Sequence, residues 1–225
     1  MATITDYFQQ AQLSLAAYAL GLQREMLGQG YPGYVPALID AGMSDAQAKN
    51  FADTYAVVDQ YNDSSTGFSA TVFQNVHTGE YSLAIRGTEG LFDRDFLEDI
   101  LLATGGIART QTISLYNYVQ RLITPAGQMA LQVEDVAPDI DPITGYVNDP
   151  GGIRETDSVA GLGYLNGISG MTVTGHSLGG HLAGRIPRTP YLIFPRTSAP
   201  GRKHILDLCA CRRRNCPCGD TPEPG

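Results

Sequence analysis

Apolar residues Tyr7, Phe8, Ala11, Leu15, Tyr18, Ala19 and Leu22 recur at steps of three and four, which predicts an amphipathic helix from Ile4 to about Met26. Gly28 and Gly30 are its expected stop, and Pro32 and Pro36 predict an irregular stretch behind them. Ser44 is a natural N-cap for a second helix from Asp45 to about Thr54. The period then changes. Residues 68–76 alternate in part, 77–80 suit a turn with His77 exposed in it, and Tyr81 to Ile85 form a second strand, so a β-hairpin is predicted. Two helices should follow, Asp93 to Ala103, with acidic residues in its first turn, and about Thr112 to Leu122. From Glu134 to Gly163 the chain is rich in Asp, Pro and Gly with weak periodicity, as in a surface excursion or part of a lid. Within it, Asp139 to Gly145 reads as an ordinary turn, because the further oxygen ligands of a calcium loop are missing. Ile168 and the Met171/Val173 alternation then predict a short buried strand, and His181-Leu182-Ala183 begins a helix.

Between that last strand and helix lies Gly175-His176-Ser177-Leu178-Gly179. A Gly-x-Ser-x-Gly run between strand and helix is the pattern of a nucleophile elbow. The turn is so tight that side chains at the two glycines would strike the neighbouring backbone. The serine Oγ is thereby raised above the sheet, beside free N–H groups that favour a developing negative charge. Ser177 is the candidate nucleophile. A glycine-rich turn in a plain strand–helix unit is the bland alternative.

Composition sharpens the picture in two ways. The chain has 225 residues and 43% hydrophobic content, enough for one α/β domain with a sizeable core. No run of 18 apolar residues predicts a membrane span, and Met1 to Phe8 lacks the basic and apolar regions of a signal peptide. The net charge of −8 argues against nucleic acid as a partner. That charge is uneven. Residues 1–184 hold 7 Lys/Arg and 20 Asp/Glu (net −13), whereas 185–225 hold 8 and 3 (net +5), with all 4 cysteines and 7 of 13 prolines. The shift falls inside the helix the elbow should begin. We therefore read 1–184 as the N-terminal part of a hydrolase domain and 185–225 as an aberrant Arg/Pro/Cys-rich tail, out of frame or truncated, rather than a domain.

An acyl hydrolase also needs two donors for its oxyanion. One is the backbone N–H of Leu178, after the nucleophile; the other normally follows an earlier strand. Thr88, at the end of the strand to Ile85, is well placed, although Arg86-Gly87-Thr88 alone reads equally as a strand-ending turn. Taken with Leu83-Ala-Ile-Arg-Gly-Thr88 and Asp95-Phe-Leu-Glu-Asp99, the run Val173 to Gly180 resembles the class 3 (triacylglycerol) lipases. It is especially similar to bacterial repeat-in-toxin-type secreted lipases, over roughly residues 55–184. The resemblance implies an α/β fold of the α/β-hydrolase (lipase-like) type, a central sheet with flanking helices, incomplete at its C-terminal end. It further implies Thr88 as an oxyanion residue, an Arg86–Asp99 ion pair, and His176 as a supporting residue rather than the base. His181, four residues past the serine, reads as a packed histidine.

The triad order Ser, then Asp/Glu, then His does not complete itself here. Only 48 residues follow Ser177, and Pro187 and Pro190 interrupt the elbow helix. His204 and Asp207 come in reversed order three apart, and Cys209-x-Cys211 with Cys216-x-Cys218 does not match a familiar zinc spacing. The expected function is a serine carboxylic ester hydrolase acting on fatty-acyl esters such as triacylglycerols. The alternatives are a catalytically impaired scaffold, or a phospholipase or polyester hydrolase on the same elbow. No cofactor and no metal is expected from the residues themselves. By resemblance alone come calcium, a lipid–water interface as partner, and secretion.

Overall fold

The computed structural model describes residues 3–87, 94–176 and 178–183, without the side chains of 94–108 and 181. Helix α1 (Ile4–Ala16) starts on a capping box in which Thr3 and Asp6 satisfy each other's backbone N–H. It stops ten residues short of the predicted end at Met26. The apolar period beyond Ala16 belongs to a folded loop instead. Gly21 takes a left-handed φ of 72°, Leu22 N–H donates to Gln60 Oε1, and Glu25 N–H donates to Val57 O at 2.8 Å. Leu22 is buried all the same, but the predicted apolar face does not hold along the helix: Tyr7, Phe8 and Ala11 are exposed, and α1 buries Leu13 and Ala16 instead.

Helix α2 (Tyr34–Asp40) occupies a stretch expected to be irregular. Pro36 is its third residue, where the N–H has no intrahelical acceptor in any case, so proline is tolerated there. Helix α3 (Asp45–Thr54) begins on Ser44 as predicted, with Gln47 completing the box. Strand β1 (Tyr55–Asp63) had no clear alternation and was not predicted. A bulge between Val57 and Asp59 disrupts its period, and the polar Gln60 is satisfied by Ala19 O and Thr71 Oγ1. Strands β2 (Phe68–Asn75) and β3 (Tyr81–Ile85) form the predicted hairpin, with His77 exposed in its turn.

The two helices predicted after β3 are one. Helix α4 (Arg94–Ile123) runs through Gly105 and Gly106, each of which costs about 1 kcal/mol against alanine without ending it. Behind it, β4 (Met129–Val136) pairs antiparallel with β7 (Gly152–Ala160), while β5 (Asp139–Ile140) and β6 (Val147–Asp149) form a small extension. The acidic segment is thus an ordered ribbon. Of the stretch expected to be a turn, Asp139 and Ile140 form β5 and the turn follows, with Asp141 Oδ1 accepting from the N–H groups of Ile143 and Thr144. Strand β8 (Met171–Gly175) and helix α5 (Leu178–Ala183) complete the described chain; Ile168 precedes the strand.

The main sheet has the order β1-β2-β3-β8, antiparallel except for the parallel β3/β8 pair that α4 connects. Helices cover both faces. One core joins α1, α2 and α3 to Val57, Phe73 and Ala84; the other joins α4 and Leu182 to Phe68, Val72, Leu83 and Ile85. The architecture is therefore mixed α/β, a mixed sheet with flanking helices. Among the described residues no helix is long and apolar enough to cross a membrane.

Two carboxylates tie β1 to α4, with opposite electrostatics. Asp59 is pushed above its ordinary range by burial, against the pull of the Tyr118 hydroxyl at 2.9 Å and the Arg121 charge. Burial also raises Asp63, but hydrogen bonds from Ser65 (2.6 Å) and Ser114 (2.8 Å) prevail and hold it at about 2.

Candidate functional site

The site is built at the ends of β3 and β8. Their parallel register sets Ile85 opposite Gly175, so the chain leaves both strands side by side at the same end of the sheet. That is the carboxyl end, where open α/β sheets bind ligands. Beyond Gly175 the backbone turns at once: Gly179 N–H donates to His176 O at 3.0 Å, and α5 starts at Leu178.

The glycines are required by contact. A Cβ on Gly175 would meet the Gly179 carbonyl group and lie 2.8 Å from Gly180 N. A Cβ on Gly179 would meet Ile85 O, and lie 3.0 Å from Ile85 C and 3.1 Å from Arg86 C. Such contacts with backbone cannot be relieved by a rotamer change. The elbow helix therefore packs directly on the end of β3, where Arg86 and Gly87 begin the stretch that leads to Thr88. Leu178 is buried there, at 9% exposure, and so is Gly87. Arg86 is half-buried, and its N–H donates to Ser69 O at 2.9 Å.

Strand, turn and helix are thus found around the motif, and Arg86 and Gly87, which lead to the residue expected to give the second donor, follow the neighbouring strand. Ser177 and Thr88 themselves lie outside the described residues, as do His204, Asp207 and the four cysteines; the side chains of Asp99 and His181 do too. His77 sits at the opposite end of β3, away from the elbow.

A feature that the sequence pattern did not single out is the seam between α1 and β8. Thr174 Oγ1 lies 2.7 Å from Ser14 Oγ and donates to Gln10 O at 3.3 Å. Two residues on, His176 Nδ1 lies 3.1 Å from the Tyr18 hydroxyl, the rings meeting edge-on at 6.1 Å. The signal was present as polar groups at 10, 14 and 18, one helical face, but Tyr18 counted among the apolar stripe.

A cleft of about 460 Å³ lies at the far ends of β3 and β8, lined by Thr78, Glu80, Tyr81, Ile168, Ser169 and Met171. It is at the amino ends of the parallel pair and plays no part at the elbow. Among the described residues, no three His, Cys, Asp or Glu side chains are grouped to hold a metal. Comparison of the chain with family models, with curated proteins and with solved structures gives no match.

Proposed function

We propose that the chain is a serine carboxylic ester hydrolase of the lipase-like α/β-hydrolase type, acting on fatty-acyl esters such as triacylglycerols. The observation that carries this reading is the contact of Gly179 with the end of β3. It brings the glycine turn and Arg86-Gly87 to one end of one parallel strand pair, which supports a reading with two oxyanion donors, Leu178 and Thr88. In this reading Ser177 Oγ bonds to the acyl carbon, and the carbonyl oxygen takes the charge against the Leu178 N–H and the donors of Thr88. The alcohol then leaves with a proton, and water releases the fatty acid and frees the serine. Of the histidines with described side chains, His77 is at the opposite end of the sheet, and His176 meets the Tyr18 hydroxyl through Nδ1.

The test pairs turnover with labelling. A p-nitrophenyl butyrate and triolein assay is run on the full chain and on Ser177→Ala, beside a fluorophosphonate probe of the serine. The reading expects hydrolysis that falls about 10³-fold or more in the variant, and a label on Ser177 alone. Equal rates in both proteins would overturn it. Labelling without turnover points to the impaired scaffold, and faster cleavage of phosphatidylcholine or a polyester film reassigns the substrate.

A further inference from the structure

Helix α1 carries more apolar surface than its own chain covers. Leu13 and Ala16 are buried in the core shared with α2 and α3, and Ser14 meets Thr174 of β8. Ile4, Tyr7, Phe8 and Ala11 stand at the spacing of a single helical stripe, within an arc of about 100° that excludes Leu13 and Ala16. That arc is bare. Ile4 is 89% exposed, Tyr7 68% and Phe8 53%, and Ala11 is exposed behind them. Single apolar residues on a surface are ordinary, whereas a row of them at helical spacing is the form of a helix-packing seam. The Thr3–Asp6 capping box holds the first turn in place, so the row is preset.

Charge and spacing together say what fits it. The chain has a net charge of −8, yet Asp6 is the one charged residue of α1. Asp6 lies on the opposite side of the helix from the stripe, and its carboxylate accepts from the Thr3 N–H. Two copies of this acidic chain can therefore meet along the stripe without setting like charges against each other. The spacing is also its own complement. Reversing the row about the midpoint of Tyr7 and Phe8 exchanges Ile4 with Ala11 and Tyr7 with Phe8. An antiparallel copy thus sets the large Ile4 against the small Ala11, and one aromatic ring against another, twice about a two-fold axis. The two helix dipoles then oppose each other, which is their favourable sense.

We propose that Ile4, Tyr7, Phe8 and Ala11 form a self-association surface whose occupant is α1 of a second copy of this chain, packed antiparallel. The proposal is independent of the ester-hydrolase reading. A row two turns long is small beside the roughly 800 Å² that each partner buries in a standard interface, so the dimer is weak and forms with rising concentration.

Sedimentation equilibrium of the full chain decides this, run from micromolar to submillimolar concentration with a thiol reductant present to exclude disulfide-linked pairs. The parent should show a monomer–dimer equilibrium with Kd in the micromolar range. Tyr7→Glu and Phe8→Lys change exposed positions and should fold as the parent does, which circular dichroism checks. Each alone sets a charge against an aromatic ring and should weaken the dimer at least about tenfold. Mixed in equal amounts, the two variants should associate again, because the antiparallel register brings the introduced carboxylate opposite the introduced ammonium group. A parent that stays monomeric throughout, or a Tyr7→Glu variant that dimerises as the parent does, overturns the proposal. So does a mixture no tighter than its parts, which would refute the antiparallel pairing. A monomeric parent that sediments with neutral phosphatidylcholine vesicles, and loses this in Tyr7→Glu, would assign the stripe to a lipid surface and overturn the proposal as well.

Discussion

The main sheet and the acidic ribbon are both β-structure, yet different forces hold them. Strand β2 is buried at seven of its eight positions, with Phe73 facing one core and Phe68, Ala70 and Val72 the other. Strand β7 has no buried position, and its partner β4 has two. The ribbon is fastened mainly by polar contacts at its root. Asn117 on α4 exchanges two hydrogen bonds with the Val133 backbone at 2.8 and 2.9 Å, and Arg109 pairs with Asp135 at 2.6 Å. The sheet draws stability from apolar burial, which scales with the area removed from water. The ribbon relies on hydrogen bonds, each of which nets about 1 kcal/mol. The glycine turn leaves β8, which has one buried position, Thr174, but it rests on β3, four of whose five positions are buried.

Substitutions should separate the two regions, most sharply in the core. Phe73→Ala removes a ring that is inaccessible to solvent and packed edge-on against Phe51, and should cost about 3–5 kcal/mol. Leu131→Ala, on the ribbon and 39% exposed, should stay within about 0.5 kcal/mol. Urea midpoints for the two variants make the comparison, and similar values would refute the contrast. Next in size is Gly179→Ala. Its methyl group would strike Ile85 O, and we expect a loss of about 3 kcal/mol in the same unfolding experiment. A variant as stable as the parent would mean that the elbow does not rest on β3.

Asn117→Ala should cost about 1–2 kcal/mol, and locally. Hydrogen exchange at the Val133 amide should accelerate while β2 amides keep their protection; uniform acceleration would show that ribbon and sheet unfold as one unit. The smallest effect belongs to Asp63. Its carboxyl is held at about 2, below the ordinary 3.8, so its contribution is complete above pH 4 and disappears as pH falls toward 2. Solvent screening limits that contribution to about 1 kcal/mol or less. Asp63→Asn should flatten the acid limb of the stability curve, which an unchanged limb would contradict.

Legibility from sequence followed the same divide. The β2–β3 hairpin, α3 with its Ser44 cap and the strand–turn–helix around the elbow were all readable, because periodicity, capping and glycine placement are local signals. The end of α1 was not. Residues 17–26 continue an apolar period, but Gln60, 38 residues beyond Leu22, draws that backbone out of the helix. Strand β1 was hidden by its bulge and by polar residues whose partners come from other elements. At the site, the motif placed Gly175, Leu178 and Gly179, but Tyr18 carried no local mark of its bond to His176.

The sequence by itself determined the tight glycine turn, the strands on which it hangs and the acidic character of the first 184 residues, since each is set by residues within a few positions of one another. Only the tertiary structure decided that Ile85 lies opposite Gly175, that Gly179 rests on the end of β3, and that α1 reaches the elbow through Tyr18. Those are contacts between groups far apart in the chain. Their geometry depends on how the two cores pack against the sheet, and no local pattern encodes that.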